Sequence, residues 1–275
     1  MIQFNDLTFN YGRGHLYEDF NLSLESPGIH GLFGTNGTGK STMLKLINGL
    51  IFPLQGQCTV DGMASQSRHP DILEKIFYLP EEIDSPAITA VQLGMLKGAF
   101  YPRFDLAKLT ELLSLFGIPE SHRLQQMSYG QKKKAYIAVA ISTGAPILLM
   151  DEPTNGLDIP SKLHFRQALE QFRTDDQIIL ISTHQVRDLD HILEHLLILQ
   201  EGRILLQKSI SAIQETFQCI STSENTPPQD VLFTLQNGSI YHHLIRNRTG
   251  QPQPAHLEAL ITAYFEDPSL MKEQF

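Results

Sequence analysis

Cysteine is nearly absent from this chain of 275 residues: Cys58 and Cys219 are the only two, far apart and without C-x-x-C spacing. That excludes a cysteine-held zinc site and fits a reducing compartment. Long hydrophobic runs are missing too, so no stretch is long enough to cross a bilayer as a helix. The start, Met1-Ile2-Gln3-Phe4-Asn5-Asp6, has no basic segment followed by an apolar one. No secretory leader is expected, and the expected location is cytoplasmic. Basic charge is also short, with Lys+Arg at 21 against Asp+Glu at 30 and a formal net charge of −9. Wrapping nucleic acid requires clustered Lys and Arg, so no nucleic-acid partner is expected. No internal repeat and no long heptad run is visible. What remains is ordinary globular material, 41% hydrophobic and 19% charged, enough for one large α/β domain plus something small.

The informative stretch is Gly34-Thr35-Asn36-Gly37-Thr38-Gly39-Lys40-Ser41-Thr42. It fits G-x-x-x-x-G-K-[ST], with Gly34, Gly39, Lys40 and Ser41 at the fixed positions. The run Gly28 to Phe33 before it reads as a short buried strand. The run Thr42 to Ile47 after it places Met43, Leu46 and Ile47 on one helical face. Strand, glycine loop and helix let backbone N–H groups curl around phosphates at the positive end of a helix dipole. Lys40 would neutralise β/γ-phosphate charge and the Ser41 hydroxyl would ligate Mg²⁺. The expected ligand is a nucleoside triphosphate.

Around this loop the pattern is that of an α/β protein. Ile2, Phe4, Leu7 and Phe9 alternate, and Phe20 to Leu24 gives a second early strand. Gln57 to Val60 with Asp61-Gly62 reads as a strand and hairpin turn, and Ile76 to Leu79 as a short strand. From about Thr89 to Ala140 the spacing is helical, broken at Pro102 and Gly117-Ile118-Pro119. Ile147 to Met150 is a strand ending in Asp151-Glu152-Pro153. A helix follows at about 161–172, then the strand Gln177 to Ser182 ending at Thr183-His184. A further helix is expected from about Gln185, then a hairpin turning at Glu201-Gly202. Strands separated by helices imply a mainly parallel sheet with its chemistry at the strand C-termini. After about residue 205 the composition shifts. Residues 221–229 and Gln251-Pro252-Gln253-Pro254 are linker-like, and strands at Val231 to Leu235 and Ile240 to Ile245 with a helix at His256 to Phe265 suggest a small α+β accessory domain.

Phosphate-loop enzymes hold the Mg²⁺ shell with an acid at a strand end, and hydrolases among them also need a base for the attacking water. Asp151 and Glu152 supply the two side by side, Asp151 on the metal and Glu152 on the water. Upstream stands Met127-Ser128-Tyr129-Gly130-Gln131, and downstream Asn155-Gly156-Leu157-Asp158 and Ser182-Thr183-His184. Over about residues 1–206 this ordered set closely resembles the ATP-binding cassette (ABC) ATPases. The resemblance makes Gly34 to Thr42 the Walker A loop and Asp151-Glu152 the Walker B pair. Tyr11 matches the aromatic that stacks on adenine, Gly156-Leu157-Asp158 the D-loop, and His184 the switch histidine at the γ-phosphate. Ser128, Gly130 and Gln131 match the signature, usually Leu-Ser-Gly-Gly-Gln. It implies a P-loop core with an N-terminal antiparallel β-subdomain and a helical insert at about 86–142; residues 207–275, beyond the resemblance, are the accessory domain that the composition shift suggests. It also implies a homodimer or heterodimer sandwiching two ATP-Mg²⁺, each bound by one subunit's Walker A loop and the other's Ser128–Gln131 segment, driving a separate membrane permease.

Two positions depart from the family pattern. Tyr129 stands where the signature usually has glycine. Glu81, with Glu82 as the neighbouring candidate, stands where the Q-loop usually has glutamine on the metal side; a carboxylate accepts there but cannot donate as an amide does. Short matches, at Tyr78-Leu79-Pro80-Glu81-Glu82, Gln131-Lys132-Lys133 and Leu257-Glu258-Ala259-Leu260, resemble the bacterial efflux branch. The alternatives are an importer ATPase, or a non-transport ABC protein acting on a ribosome or nucleic acid. Three sharper patterns have blander readings. His191-Ile192-Leu193-Glu194-His195 fits H-x-x-E-H but reads as the end of an amphipathic helix. Lys132-Lys133-Lys134 reads as a solvated face or charge balance near ATP. Phe100-Tyr101-Pro102-Arg103-Phe104 reads as packing, with a permease contact as its functional reading.

Overall fold

The computed structural model describes residues 1–12, 14–224, 226–228, 230–249 and 251–268. The chain starts as an antiparallel layer. Strand β1 (Ile2–Phe9) pairs with β2 (Tyr17–Leu24). The alternation of Ile2 and Phe4 slips by one before Leu7 and Phe9 because the register shifts there and Asp6 takes a positive φ of 46°. This bulge keeps all four apolar residues on the buried face. Next come β3 (Gly28–Phe33), helix α1 (Lys40–Ile47), β4 (Gln55–Val60) and the two-residue β5 (Met63–Ala64). The hairpin expected at Asp61-Gly62 forms, and β4 pairs with β1, completing a sheet of order β2-β1-β4-β5.

After a single helical turn, α2 (Pro70–Leu73), and β6 (Ile76–Leu79), three helices fill the stretch expected to be helical: α3 (Ala90–Gly98), α4 (Leu106–Leu115) and α5 (Tyr129–Ser142). Leu109, Leu112 and Leu113 of α4 are fully buried. Each such side chain contributes about 1.5–3 kcal/mol by leaving water. Strand β7 (Ile147–Asp151), helix α6 (Ile159–Phe172), β8 (Ile178–Thr183), β9 (His195–Gln200) and β10 (Arg203–Ser209) close the core. The central sheet has order β10-β9-β3-β8-β7-β6, parallel from β9 through β6, with β10 antiparallel at the edge.

Strands β3, β7 and β8 are buried on both faces, and alternate residues of the parallel strands serve two separate apolar clusters. Leu148 and Met150, Ile179 and Ile181, and Leu196 and Ile198 face the helical side. Leu149, Leu180, Leu197 and Leu199 face α1 and the antiparallel layer. The phosphate-loop helix is thus clamped between two sheets by Met43, Leu44, Leu46 and Ile47.

The helix expected from Gln185 does not form. One 3₁₀ turn, Val186–Asp188, and further turns stand in its place. Val186, Leu189, Ile192 and Leu193 have helical spacing and are buried. Pairing to the sheet takes precedence: Glu194 N–H bonds the Ile29 carbonyl at 3.0 Å, and His195 opens β9 opposite His30. The H-x-x-E-H histidines therefore do not share a helix, and His195 stacks on His30 with centroids 4.3 Å apart.

Beyond β10 lie α7 (Ile210–Thr216), β11 (Phe217–Thr222), β12 (Val231–Asn237), β13 (Ile240–Arg246) and α8 (Leu257–Glu266), with sheet order β11-β13-β12. Helix α7 and β11 have no counterpart among the elements expected from the sequence. The division expected after residue 206 falls inside β10. Leu206, Ile213, Phe217, Leu257, Leu260 and Tyr264 join the same apolar cluster as Leu189 and Leu193.

Candidate functional site

A cavity of about 610 Å³ opens at the C-terminal ends of the central strands. Asn36, Gly37, Gly39, Lys40, Ser41 and Thr42 line it from the loop, Tyr11 from the β1–β2 turn, and Glu81, Glu152, Asn155 and His184 from three other strand ends. Gly34, Thr35 and Thr38 complete the loop; the Thr38 hydroxyl donates to the Thr35 carbonyl at 2.9 Å. Helix α1 starts from Gly39, at φ 109°, with no side-chain cap. Its first N–H groups are therefore not claimed by the cap residue, which is what an anion-binding helix start requires. A Cβ on Gly39 would come within 2.5 Å of the Tyr17 hydroxyl, which donates to the Gly39 carbonyl at 2.8 Å.

Lys40 is only 6% exposed. Its ammonium donates to the Gly34 carbonyl at 2.8 Å and the Thr35 carbonyl at 3.3 Å, and lies 3.9 Å from Glu152 Oε1. Burial holds it below the ordinary lysine value, against the charges of Glu152, Asp151 and Glu81.

The two acids are positioned from β8. Ser182 donates its hydroxyl to Asp151 Oδ1 at 2.5 Å, and the Glu152 N–H bonds both the Ser182 carbonyl (3.0 Å) and its hydroxyl oxygen (3.2 Å). The Ser41 hydroxyl reaches the same Asp151 oxygen at 3.0 Å. Glu152 sits at φ 45°, a backbone position that favours glycine; the sheet's two bonds to its N–H hold it there. That geometry turns its carboxylate toward His184, whose Nδ1 lies 3.0 Å from Glu152 Oε1. Ser182 and Asn155 are site residues beyond those expected from the sequence. Their only signal was to stand inside the two motif segments.

Tyr11 is 64% exposed, edge-on to Phe9, with its hydroxyl 3.2 Å from Thr42 Oγ1. Its ring is open to a planar ligand. Glu81 lines the cavity and accepts from Asn155 Nδ2 at 3.0 Å, whereas Glu82 is not among the described lining residues. Ser41, Asp151 and Glu81 together offer only oxygen donors, the set that Mg²⁺ prefers.

Ser128, Gly130, Gln131 and Asp158 are not brought to this cavity. Ser128 caps α5 in a reciprocal box with Gln131: the Gln131 N–H bonds Ser128 Oγ at 3.3 Å and the Ser128 N–H bonds Gln131 Oε1 at 3.0 Å. Asp158 caps α6 by accepting from the Ser161 N–H at 2.9 Å, and its bonds to Ser161 hold its carboxyl below the usual range. Lys133 is not on a solvated face; it is fully buried and donates to the Glu81 carbonyl at 2.8 Å.

A family model described as "ABC transporter" matches residues 17–155, about half of the chain. The chain belongs to the ABC transporter ATP-binding family. It is a nucleotide-binding ATPase subunit of the transporter kind, and such cassettes work as dimers with membrane permeases. The ABC transporter ATP-binding protein YtrB of Bacillus subtilis (strain 168) is 28% identical over 230 residues, covering 82% of this chain and 78% of the relative. The linearmycin resistance ATP-binding protein LnrL of the same organism is 23% identical over 297 residues, covering 98% and 96%. Among solved structures, the dimeric post-hydrolysis state of the cassette MJ0796 bound to ADP and Pi superposes with a TM-score of 0.66 at 23% identity, over 76% of this chain and 98% of that one. At that identity it speaks for the fold alone. No helix among the described residues is long and apolar enough to cross a membrane.

Proposed function

We propose that this ABC subunit hydrolyses ATP-Mg²⁺ at two composite sites and drives a separate permease in the direction of export. The observation that carries the reading is the split of the motifs. One cavity gathers the phosphate loop, Glu152 and His184, while Ser128, Gly130 and Gln131 lie away from it at the head of another helix. A second subunit, set head to tail, would close each site with that segment.

Within one site, N–H groups of Asn36 to Thr42 and the Lys40 ammonium would take the phosphates as they displace the Gly34 and Thr35 carbonyls from Lys40. Tyr11 would stack on the base. Mg²⁺, held by Ser41, Asp151 and Glu81 with waters, would neutralise charge building on the transferred phosphoryl group. Glu152 would orient the attacking water as base, and His184 would donate toward the γ-phosphate while holding Glu152 in place. Asp158, at the head of α6, would face the partner subunit. Residues 207–275 would form an accessory lobe seated behind the segment that follows His184.

The permease would meet the helical insert. A groove of about 540 Å³ between it and the sheet is lined by Arg68, Leu73, Phe77, Lys97, Phe100 and Tyr101. Phe100 is 74% exposed and Met95 and Leu96 are also open. The location would then be the cytoplasmic face of the membrane. Export is supported by the near full-length similarity to a resistance protein. Import is supported by the 28% identity to methionine import ATP-binding proteins of Bacillus cereus, Bacillus thuringiensis and Bacillus anthracis.

Glu152→Gln tests the reading. The variant should bind ATP, lose hydrolysis by roughly 10²–10⁴-fold as expected for removing a general base, and accumulate as a dimer with ATP on size exclusion. Hydrolysis near the wild-type rate would sink the assignment of the base.

A further inference from the structure

The two positions at which this chain departs from its family pattern, Glu81 and Tyr129, touch each other. The Tyr129 hydroxyl donates to the Glu81 carbonyl oxygen at 3.0 Å. One helical turn further along α5, the buried Lys133 ammonium donates to the same oxygen at 2.8 Å. Residues four apart share a helix face, so a single carbonyl is gripped by two donors from the signature helix. Lys132 adds a bond of 2.7 Å to Ser85 Oγ in the same loop. On its other side, the Glu81 carboxylate takes the Asn155 amide at 3.0 Å. The Tyr129 ring lies against Gly156, where an added Cβ would come within 2.9 Å of it.

We propose that Tyr129 and Lys133 are positioning residues: together they clasp the Glu81 backbone to the head of α5 and so fix the Glu81 carboxylate in the cavity that Ser41 lines. A glycine at position 129 has no hydroxyl with which to do this. Burial pushes the Lys133 ammonium below the ordinary lysine value, and the charges of Glu81, Asp151 and Glu152 oppose that loss. Lys133 is thus also a buried counter-charge for the acid cluster that a carboxylate at position 81 enlarges. This inference rests on the proposed composite site. It adds that the segment offered to the partner's nucleotide is tied, through one carbonyl, to the metal side of its own. Displacing the head of α5 then displaces Glu81.

The test uses the full chain with two readouts that need no turnover. The first is amide hydrogen exchange over residues 81–85 without nucleotide; the second is the Mg²⁺ requirement for binding a fluorescent N-methylanthraniloyl ATP. Tyr129 is 46% exposed, so Tyr129→Phe removes one hydroxyl without opening a cavity. It should speed exchange in residues 81–85 and raise the half-saturating Mg²⁺ about three- to tenfold, the worth of one hydrogen bond. Glu81→Ala should raise it as well, and Tyr129→Phe should add nothing in that background. An equal effect of Tyr129→Phe in both backgrounds, or unchanged exchange in residues 81–85, overturns the clasp while leaving the nucleotide site standing. Wild-type protein that binds the analogue without any need for Mg²⁺ overturns the metal-side reading itself and the clasp with it. Lys133→Arg, which keeps the buried charge, should fall between Tyr129→Phe and wild type.

Discussion

Two helices of this chain begin at residues that the proposed function assigns to phosphate, and they begin in opposite ways. At α1 the cap is Gly39, which has no side chain, and no side chain caps the first turn's N–H groups. At α5 the cap is Ser128, and it and Gln131 satisfy each other's backbone donors. The serines nearby follow suit. Ser41 spends its hydroxyl on Asp151, 110 residues away, while Ser128 spends its own on a neighbour three residues on. Lys40, Asp151 and Glu152 are at most 7% exposed, whereas Ser128 and Tyr129 face outward. The phosphate-loop half is assembled by the fold itself. The signature half is a self-capped helix start tied to Glu81 through Tyr129 and Lys133, and under the proposed function a second subunit would meet it.

The sharpest way to break this comparison is to damage the halves in separate chains. Lys40→Ala and Ser128→Arg should each abolish ATPase activity. Mixed, they should recover about a quarter of it, because half of the randomly paired symmetric dimers carry one undamaged composite site. Phosphate release from the mixture is the measurement, and no recovery would break the shared-site reading. A smaller effect separates the two serines. Ser41→Ala should lower ATPase activity by about 10–100-fold at low Mg²⁺, with part of the loss regained at high Mg²⁺. Ser128→Ala should cost about 1 kcal/mol of stability, as other N-cap losses do, visible as a melting point a few degrees lower. If excess Mg²⁺ rescues the Ser128 variant as well, the contrast fails. Smallest is Tyr11→Ala, which should weaken nucleotide binding about tenfold while Tyr11→Phe stays near wild type, since stacking needs the ring and not the hydroxyl. Titration with a fluorescent ATP analogue reads this directly.

The phosphate loop, the acid pair and the strands between them were legible because each depends on local pattern: fixed spacings, and alternation or its absence. Position 185 onward was not. Val186, Leu189, Ile192 and Leu193 carry a helical period, yet the sheet's claim on Glu194 and His195 leaves no room for a helix. Helix α7 and strand β11 were hidden for a related reason. Their apolar residues are few and face a core built by distant segments, so no periodic run announces them. In the site, Ser182 was invisible as a positioning group because its importance lies in pairing across two strands. Lys133 reads in sequence as one lysine of three, and only packing shows that its charge is enclosed.

The core that β10, α7 and α8 share with the segment after His184 also bears on how the chain is made. Leu189 and Leu193 belong to the same apolar cluster as Leu257, Leu260 and Tyr264. That cluster is therefore complete around the segment after His184 only once residues some seventy positions downstream have been synthesised. During translation the nascent cassette holds its phosphate loop before it holds a finished support for His184, with apolar surface open to chaperones in the interval.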